Sequence, residues 1–403
     1  MWALLPALFF LQAADPNADG LKALDAARYF DAAASFEKAI AADPADFSAH
    51  FNLALAYGFL NRDSEAIEQY RKTLALKPNL YEAELNCGML LLRQKNPADA
   101  APLLEDAARQ KPAEFRPHYY LAEAQFALAA WENAEARYRE ALAVNPKSGG
   151  AELGLGRALA RQGKLAEAEP HYRRAAEIDA RDRGWLLELA ELYQNSHQPS
   201  QALAIYQEFP QDPQAQSHAG QLMLDSRQYA DAVPRLEAAF AADASQVNRI
   251  ALAMAYLFAG QLPKALPLMA EAVRADPSNF QSRMMYARAL RDARQFPAAA
   301  DQFSEAVKLK PADAPAWRDL ADMLYMAGNL PLALENFDKA RQLGEDTAGV
   351  CFMRAIILDK LRQLKPALDA YTRFLSMSQG KHPDQEFQAR QRARIIRREL
   401  EKR

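Results

Sequence analysis

Residues 81–114 read YEAELNCGMLLLRQKNPADAAPLLEDAARQKPAE, and three side chains in this stretch, Gly88, Ala100 and Leu104, decide how the whole chain is read. The alanine recurs as Ala32, Ala66, Ala100, Ala134, Ala168, Ala202, Ala232, Ala265, Ala299, Ala333 and Ala367, at steps of 34 residues five times, then 30, 33 and 34 three times. Twelve residues before each alanine stands Gly or Ala, from Gly20 and Ala54 to Ala321 and Ala355. Four residues after it comes a large apolar or aromatic side chain, from Phe36 and Tyr70 to Phe337 and Tyr371. Two small columns and one bulky column at this period describe antiparallel helix pairs. Their backbones approach where the side chains are shortest, and the bulky residue fills the gap beside that contact. In six units a proline (Pro44, Pro78, Pro112, Pro146, Pro277, Pro311) follows the alanine by twelve residues and ends the second helix, because proline cannot continue a helix interior.

These columns are the signature positions of the tetratricopeptide repeat family, which the chain resembles over roughly residues 14–380, in eleven units. The resemblance implies an all-α, right-handed superhelical solenoid of antiparallel helix pairs. It also implies that the first helix of each unit lines a concave surface, on which such proteins hold extended peptides or helices of partner proteins. A solenoid has no single core and grows by stacking, so the 403 residues count repeats, and the low glycine content of 15 suits an all-helical chain. A net charge of −3 argues against a general nucleic-acid binder, which needs a dominant basic surface.

In chain order, residues 1–13 hold an apolar run from Trp2 to Leu11 followed by small residues. The run reads as a signal peptide cut near Ala13, and therefore as export to the periplasm or beyond. The alternative is an apolar helix capping the first repeat of a cytoplasmic protein; the run is too short to span a membrane. Residues 14–212 hold units one to six and 213–382 units seven to eleven. The period fails between Ala202 and Ala232, where Glu208-Phe209-Pro210-Gln211-Asp212-Pro213 cuts the second helix of unit six, making this the expected bend or hinge. Asp46, Asn79 and Ser148 are expected to cap helix starts and Pro97 to occupy a first helical position. Pro102, Pro170, Pro234 and Pro267, two residues past column alanines, are expected to bend their helices without breaking them. Residues 383–403 form a last helix with Ala389, Ala393, Ile396 and Leu400 on one face and Arg390, Arg394, Arg397 and Arg398 largely off it, which suits a capping helix.

Side chains two, five, nine, twelve and thirteen places into a unit share one face of its first helix. In units three to five the candidate partner-binding residues on that face are Arg93, Arg116, Tyr119, Glu123, Phe126, Arg157 and Arg161. In units eight to ten they are Phe258, Met284, Arg288, Arg291, Arg318 and Tyr325. The fixed Lys/Asn set with which the chaperone-binding members of the family hold a peptide carboxylate is missing.

Catalytic and metal signatures lead nowhere. The six histidines form no i, i+4 pair, and His50 and His118, at equivalent places in two units, are expected to pack. Cys87 and Cys351 are too far apart along a solenoid to bridge. Ser35-Phe36-Glu37-Lys38 spells S-x-x-K without the companion elements of that enzyme class, and Gly156 to Lys164 has the wrong spacing for a phosphate loop. The expectation is a non-catalytic scaffold without cofactor, metal or small-molecule substrate, binding other proteins in a bacterial cell-envelope assembly. The alternatives are an adaptor for anionic membrane or nucleic acid acting through the basic last helix, or a non-catalytic subunit of an enzyme complex.

Overall fold

The computed structural model describes residues 15–401, so the segment expected to be removed, 1–13, lies outside the described residues. The described residues are all-α. Two compact bodies divide between Ala202 and Leu203. In the first body α1 (Pro16–Asp25) pairs with α2 (Tyr29–Ala42), α3 (Phe47–Phe59) with α4 (Asp63–Leu76), α5 (Tyr81–Arg93) with α6 (Pro97–Gln110), α7 (Phe115–Ala127) with α8 (Trp131–Val144) and α9 (Gly149–Arg161) with α10 (Leu165–Ile178). A 3-10 turn, Ala180–Gly184, then leads into α11 (Trp185–Asn195) and α12 (Pro199–Tyr206). In the second body α13 (Pro213–Asp225) pairs with α14 (Tyr229–Ala242), α15 (Gln246–Phe258) with α16 (Leu262–Ala275), α17 (Phe280–Asp292) with α18 (Phe296–Leu309), α19 (Ala314–Met326) with α20 (Leu330–Gln342) and α21 (Ala348–Lys360) with α22 (Leu364–Ser378); α23 (Pro383–Glu401) packs on α22. From α1 to α11, and again from α13 to α23, each helix packs on the next, which makes each body a solenoid of hairpins.

The three columns explain why the hairpins close. All eleven column alanines are fully buried, and so are their small partners and the bulky residues, from Phe36 at 0 % exposure to Met269 at 3 %. Where the small residue is glycine the fit is tight: a Cβ on Gly20, Gly88, Gly156 or Gly220 would stand 2.5, 2.6, 2.9 and 2.4 Å from Phe36, Leu104, Tyr172 and Leu236 of the same repeat. The bulky residue also reaches the next repeat, twelve or sixteen residues on. A Cβ on Gly154 would meet the Tyr138 ring at 2.4 Å, the Tyr172 hydroxyl donates to Glu188 at 3.1 Å, and Tyr206 stacks on His218 at 5.1 Å.

Helix ends follow local chemistry. Asp46 and Ser148 cap α3 and α9 by accepting from Ala49 and Ala151 N–H groups, and Pro97 opens α6. Asn79 does otherwise: it takes a left-handed φ of 60°, a conformation asparagine tolerates well, and α5 starts after Leu80 without a side-chain cap. The helices α6, α10, α14 and α16 run unbroken through Pro102, Pro170, Pro234 and Pro267. The second helix of unit six is indeed cut to 8 residues, but the chain after it is bonded, with Gln207, Glu208, Phe209 and Asp212 N–H groups all donating to carbonyls and the Gln216 side chain donating to Phe209 O at 2.9 Å.

A further tie recurs at the fourth place of several units. Nε2 of His50 and of His118 donate to the Pro44 and Pro112 carbonyls at 3.2 and 2.9 Å; Arg283 and Trp317 do the same to Pro277 and Pro311, both at 2.9 Å. Each donor lies six residues past its acceptor, so it clasps the closing loop of one unit to the first helix of the next. Both histidines are buried, at 5 and 6 % exposure, as expected of packing residues. Cys87 is fully buried, with burial pushing its thiol up to about 11, and both cysteines are free. The last helix buries Ala389, Ala393 and Ile396 against α22 and leaves Arg394, Arg397 and Arg398 exposed. Among the described residues no helix is long and apolar enough to cross a membrane.

Candidate functional site

The first helices of successive repeats touch in both bodies, α5 with α7 and α7 with α9, and α13 with α15, so their outward positions form common faces. On the face of α5, α7 and α9 the candidate residues divide into two groups. Arg93 pairs with Asp63 of the preceding repeat, Glu123 accepts from the Tyr138 hydroxyl at 2.5 Å, and Arg157 makes a two-pronged pair with Glu188 of the next repeat, Nη2 to Oε2 at 2.6 Å, while lying over the Trp185 ring at 4.1 Å. These three hold helices together. Arg157 is therefore not open to a ligand, contrary to the expectation from spacing, because its acid partner stands 31 residues ahead on the neighbouring first helix.

The other four remain available. Arg116 is exposed, with one contact from Nη2 to the Met89 sulfur at 3.1 Å, and Arg161 is exposed with no polar partner among the described residues. Tyr119 is half-buried, stacks on Phe115 at 5.4 Å, and its hydroxyl lies 3.1 Å from where a Cβ on Gly150 would be, so a side chain at 150 would press on the phenol. Burial pushes the Tyr119 phenol above its ordinary value, and the neighbouring Glu123 carboxylate adds to the effect. Phe126 is half-buried edge-on against Trp131 at 5.0 Å.

On α17 and α19 the charges are matched internally. Arg288 pairs with Asp319 at 3.3 Å, Arg291 with Asp292 at 3.0 Å, and Arg318 with both Asp319 at 2.9 Å and Glu345 at 2.5 Å. Tyr325 accepts from Lys360 at 3.0 Å and carries that ammonium over its ring at 4.7 Å. Asp322, which the sequence reading passed over, sits among them with its carboxyl pushed up to about 6, chiefly by burial and next by the like charge of Asp319, while Arg318 and Arg291 pull it down. Met284 does not face outward. It is 4 % exposed within the core of Phe303 and Leu320, since the fifth place of that helix turns into the hairpin.

Four exposed apolar side chains at the same offsets were overlooked: Leu21 at 46 %, Phe59 at 57 %, Val247 at 73 % and Met326 at 52 % exposure. Phe59 stacks on Tyr29 at 4.6 Å, and Phe258, a candidate, stacks on Tyr229 at 5.0 Å in the equivalent place of the second body. Counting offsets in every unit, and not only in those rich in arginine, finds them.

Tandem helical hairpins that stack within each body and share outward faces, as α5, α7 and α9 do, define the class of helical-repeat protein-interaction scaffolds. Within that class the chain belongs to the tetratricopeptide repeat family: models described as tetratricopeptide repeat match residues 18–81, 131–183, 250–314 and 284–347, together more than half the chain, and a further one matches 91–149. Solved structures are similar to part of the chain. MamA of Desulfovibrio magneticus RS-1 is 21 % identical, covering 41 % of this chain and 93 % of its own, with a TM-score of 0.39. MamA of AMB-1 and of MSR-1 are each 24 % identical over 41 % of this chain and 96 and 95 % of theirs, with TM-scores of 0.39. No curated protein matches the sequence.

Proposed function

We propose that the chain is a non-catalytic scaffold whose first-helix face in repeats three to five holds an extended, acidic and partly aromatic segment of another protein, as part of a bacterial cell-envelope assembly. The observation that carries this reading is the selective freedom of that face. Among the described residues Arg116 and Arg161 stay exposed and outside any ion pair, beside the flat apolar surface of Tyr119 and Phe126, whereas Arg288, Arg291 and Arg318 of α17 and α19 are matched by acids of their own chain. Charge-assisted hydrogen bonds beside an aromatic surface suit a carboxylate-bearing, partly aromatic strand. Cross-linking in the native cell followed by mass spectrometry names the segment, and titration calorimetry then measures it against variants. Because a hydrogen bond to a charged group contributes about 1.5–3 kcal/mol, Arg116→Glu with Arg161→Glu is expected to weaken binding roughly tenfold or more at unchanged helical content. Unchanged affinity for the double variant would remove this face from consideration.

Export is part of the same proposal. Cleavage near Ala13 would leave Asp15 in place, and Asp15 caps α1 by accepting from the Asn17 N–H. Intact-mass measurement of the native protein is expected to show a chain beginning at Ala14 or Asp15; retention of residues 1–11 in secreted or envelope material would contradict it.

A further inference from the structure

A cleft of about 630 Å³ opens between α21 and the last helix, α23. Its apolar lining comes from Phe352 and Ile356 of α21 and from Phe387, in the first turn of α23. Phe387 is the unexpected member. A helix that only closes the end of a solenoid needs one apolar face, and α23 has that face in Ala389, Ala393 and Ile396; Phe387 lies off it and is 65 % exposed. Around the apolar lining stand Lys360, Arg362 and Arg392. The nearest acid, Asp359, is already neutralised, since Arg392 takes both of its oxygens at 2.7 Å. Arg362 has only a long contact of 3.7 Å to Glu399, and Lys360 only the neutral hydroxyl and ring of Tyr325. The cleft thus joins apolar surface to positive charge, with Lys360 meeting no acid among the described residues and Arg362 held by Glu399 only at 3.7 Å.

We infer that this cleft is a second docking site, for a segment of a partner protein in which a large apolar side chain is flanked by carboxylates. The apolar side chain would enter between Phe352 and Phe387, and the carboxylates would meet Lys360 and Arg362. Volume and shape fit this occupant: ligand pockets run from about 300 to 1,000 Å³ and are concave, with a few placed polar groups. An anionic lipid surface fits less well, because a helix that lies in a membrane needs a continuous row of large apolar residues, and the exposed ones on α23 are Phe387 and Ile395. The site does not depend on the face of repeats three to five.

The test uses the full chain carrying Arg116→Glu and Arg161→Glu, so that the other face is silenced. The probe is a fluorescein-labelled peptide with one phenylalanine between paired glutamates, read by fluorescence polarisation. Binding is expected, weakening roughly tenfold or more on Phe387→Ser and on Lys360→Gln, and to a similar degree when serine replaces the peptide's phenylalanine. Melting temperature should hardly change for Phe387→Ser, since that side chain is exposed. Absence of peptide binding, or binding indifferent to both substitutions, overturns the assignment. Binding instead to phosphatidylserine vesicles or to single-stranded RNA, lost on Lys360→Gln while the peptide is ignored, overturns it in favour of an anionic surface.

Discussion

Phe303→Ala is expected to destabilise the second body by about 3–5 kcal/mol, the cost of removing a large buried side chain and leaving the space unfilled. Phe303 is 0 % exposed and sits in one core with Leu320 and with Ala287, Ala299 and Ala306, alanines whose side chains are too short to collapse into the gap. Because each repeat contacts only its neighbours, the damage should centre on repeats nine and ten. Hydrogen exchange would then show lost protection in α17 to α19 before the rest, and the thermal transition should move down or split. The control is Leu309→Ala, at the end of the same helix and 39 % exposed. Equal melting curves for the two variants would show that the bulky column does not carry the packing of the hairpin.

The second large effect is overpacking. Ala168 is fully buried, and its carbonyl oxygen lies 3.3 Å from where a Cβ on Gly156 would stand, so α9 and α10 meet there nearly backbone to backbone. Leucine at 168 must push the helices apart, at a cost of about 1–3 kcal/mol. The same change at exposed Ala166, two residues away, should cost little. Urea titration of both variants decides it: coincident midpoints would mean the contact yields without strain.

The period made the fold readable, because small and bulky columns at fixed spacing leave little choice but a hairpin, and the helix ends at Pro44, Pro112 and Pro277 follow from chemistry local to the chain. The function-bearing face was read less well. The spacing put Arg157, Arg288 and Arg318 on the outward side, but the acid partners Glu188 and Asp319 lie 31 residues ahead of Arg157 and Arg288 on the next first helix, and Glu345 lies 27 ahead of Arg318 in the loop after α20, so spacing within one helix does not display them. Met284 was misplaced for a related reason: a five-residue offset lies at the border of the outward face, and which way it turns depends on how the hairpin packs. Asn79 suits both a cap and a left-handed turn, and only the backbone chose. The division between the bodies falls within α12, the second helix of unit six, which has only 8 residues.

The pairing of glycines with bulky residues bears on how such an array can change its length. Gly20 with Phe36, Gly88 with Leu104, Gly156 with Tyr172 and Gly220 with Leu236 are each complete within a single repeat. A whole unit could be duplicated or deleted, by recombination or by a protein engineer, and carry its own matched lock with it. The junction of repeats four and five is different. There the Tyr138 ring occupies the space that Gly154 leaves empty, and the two residues belong to different units. Splicing any repeat with a side chain at that place next to Tyr138 would collide, so this junction is where the array's modularity stops and a fixed order of neighbours begins.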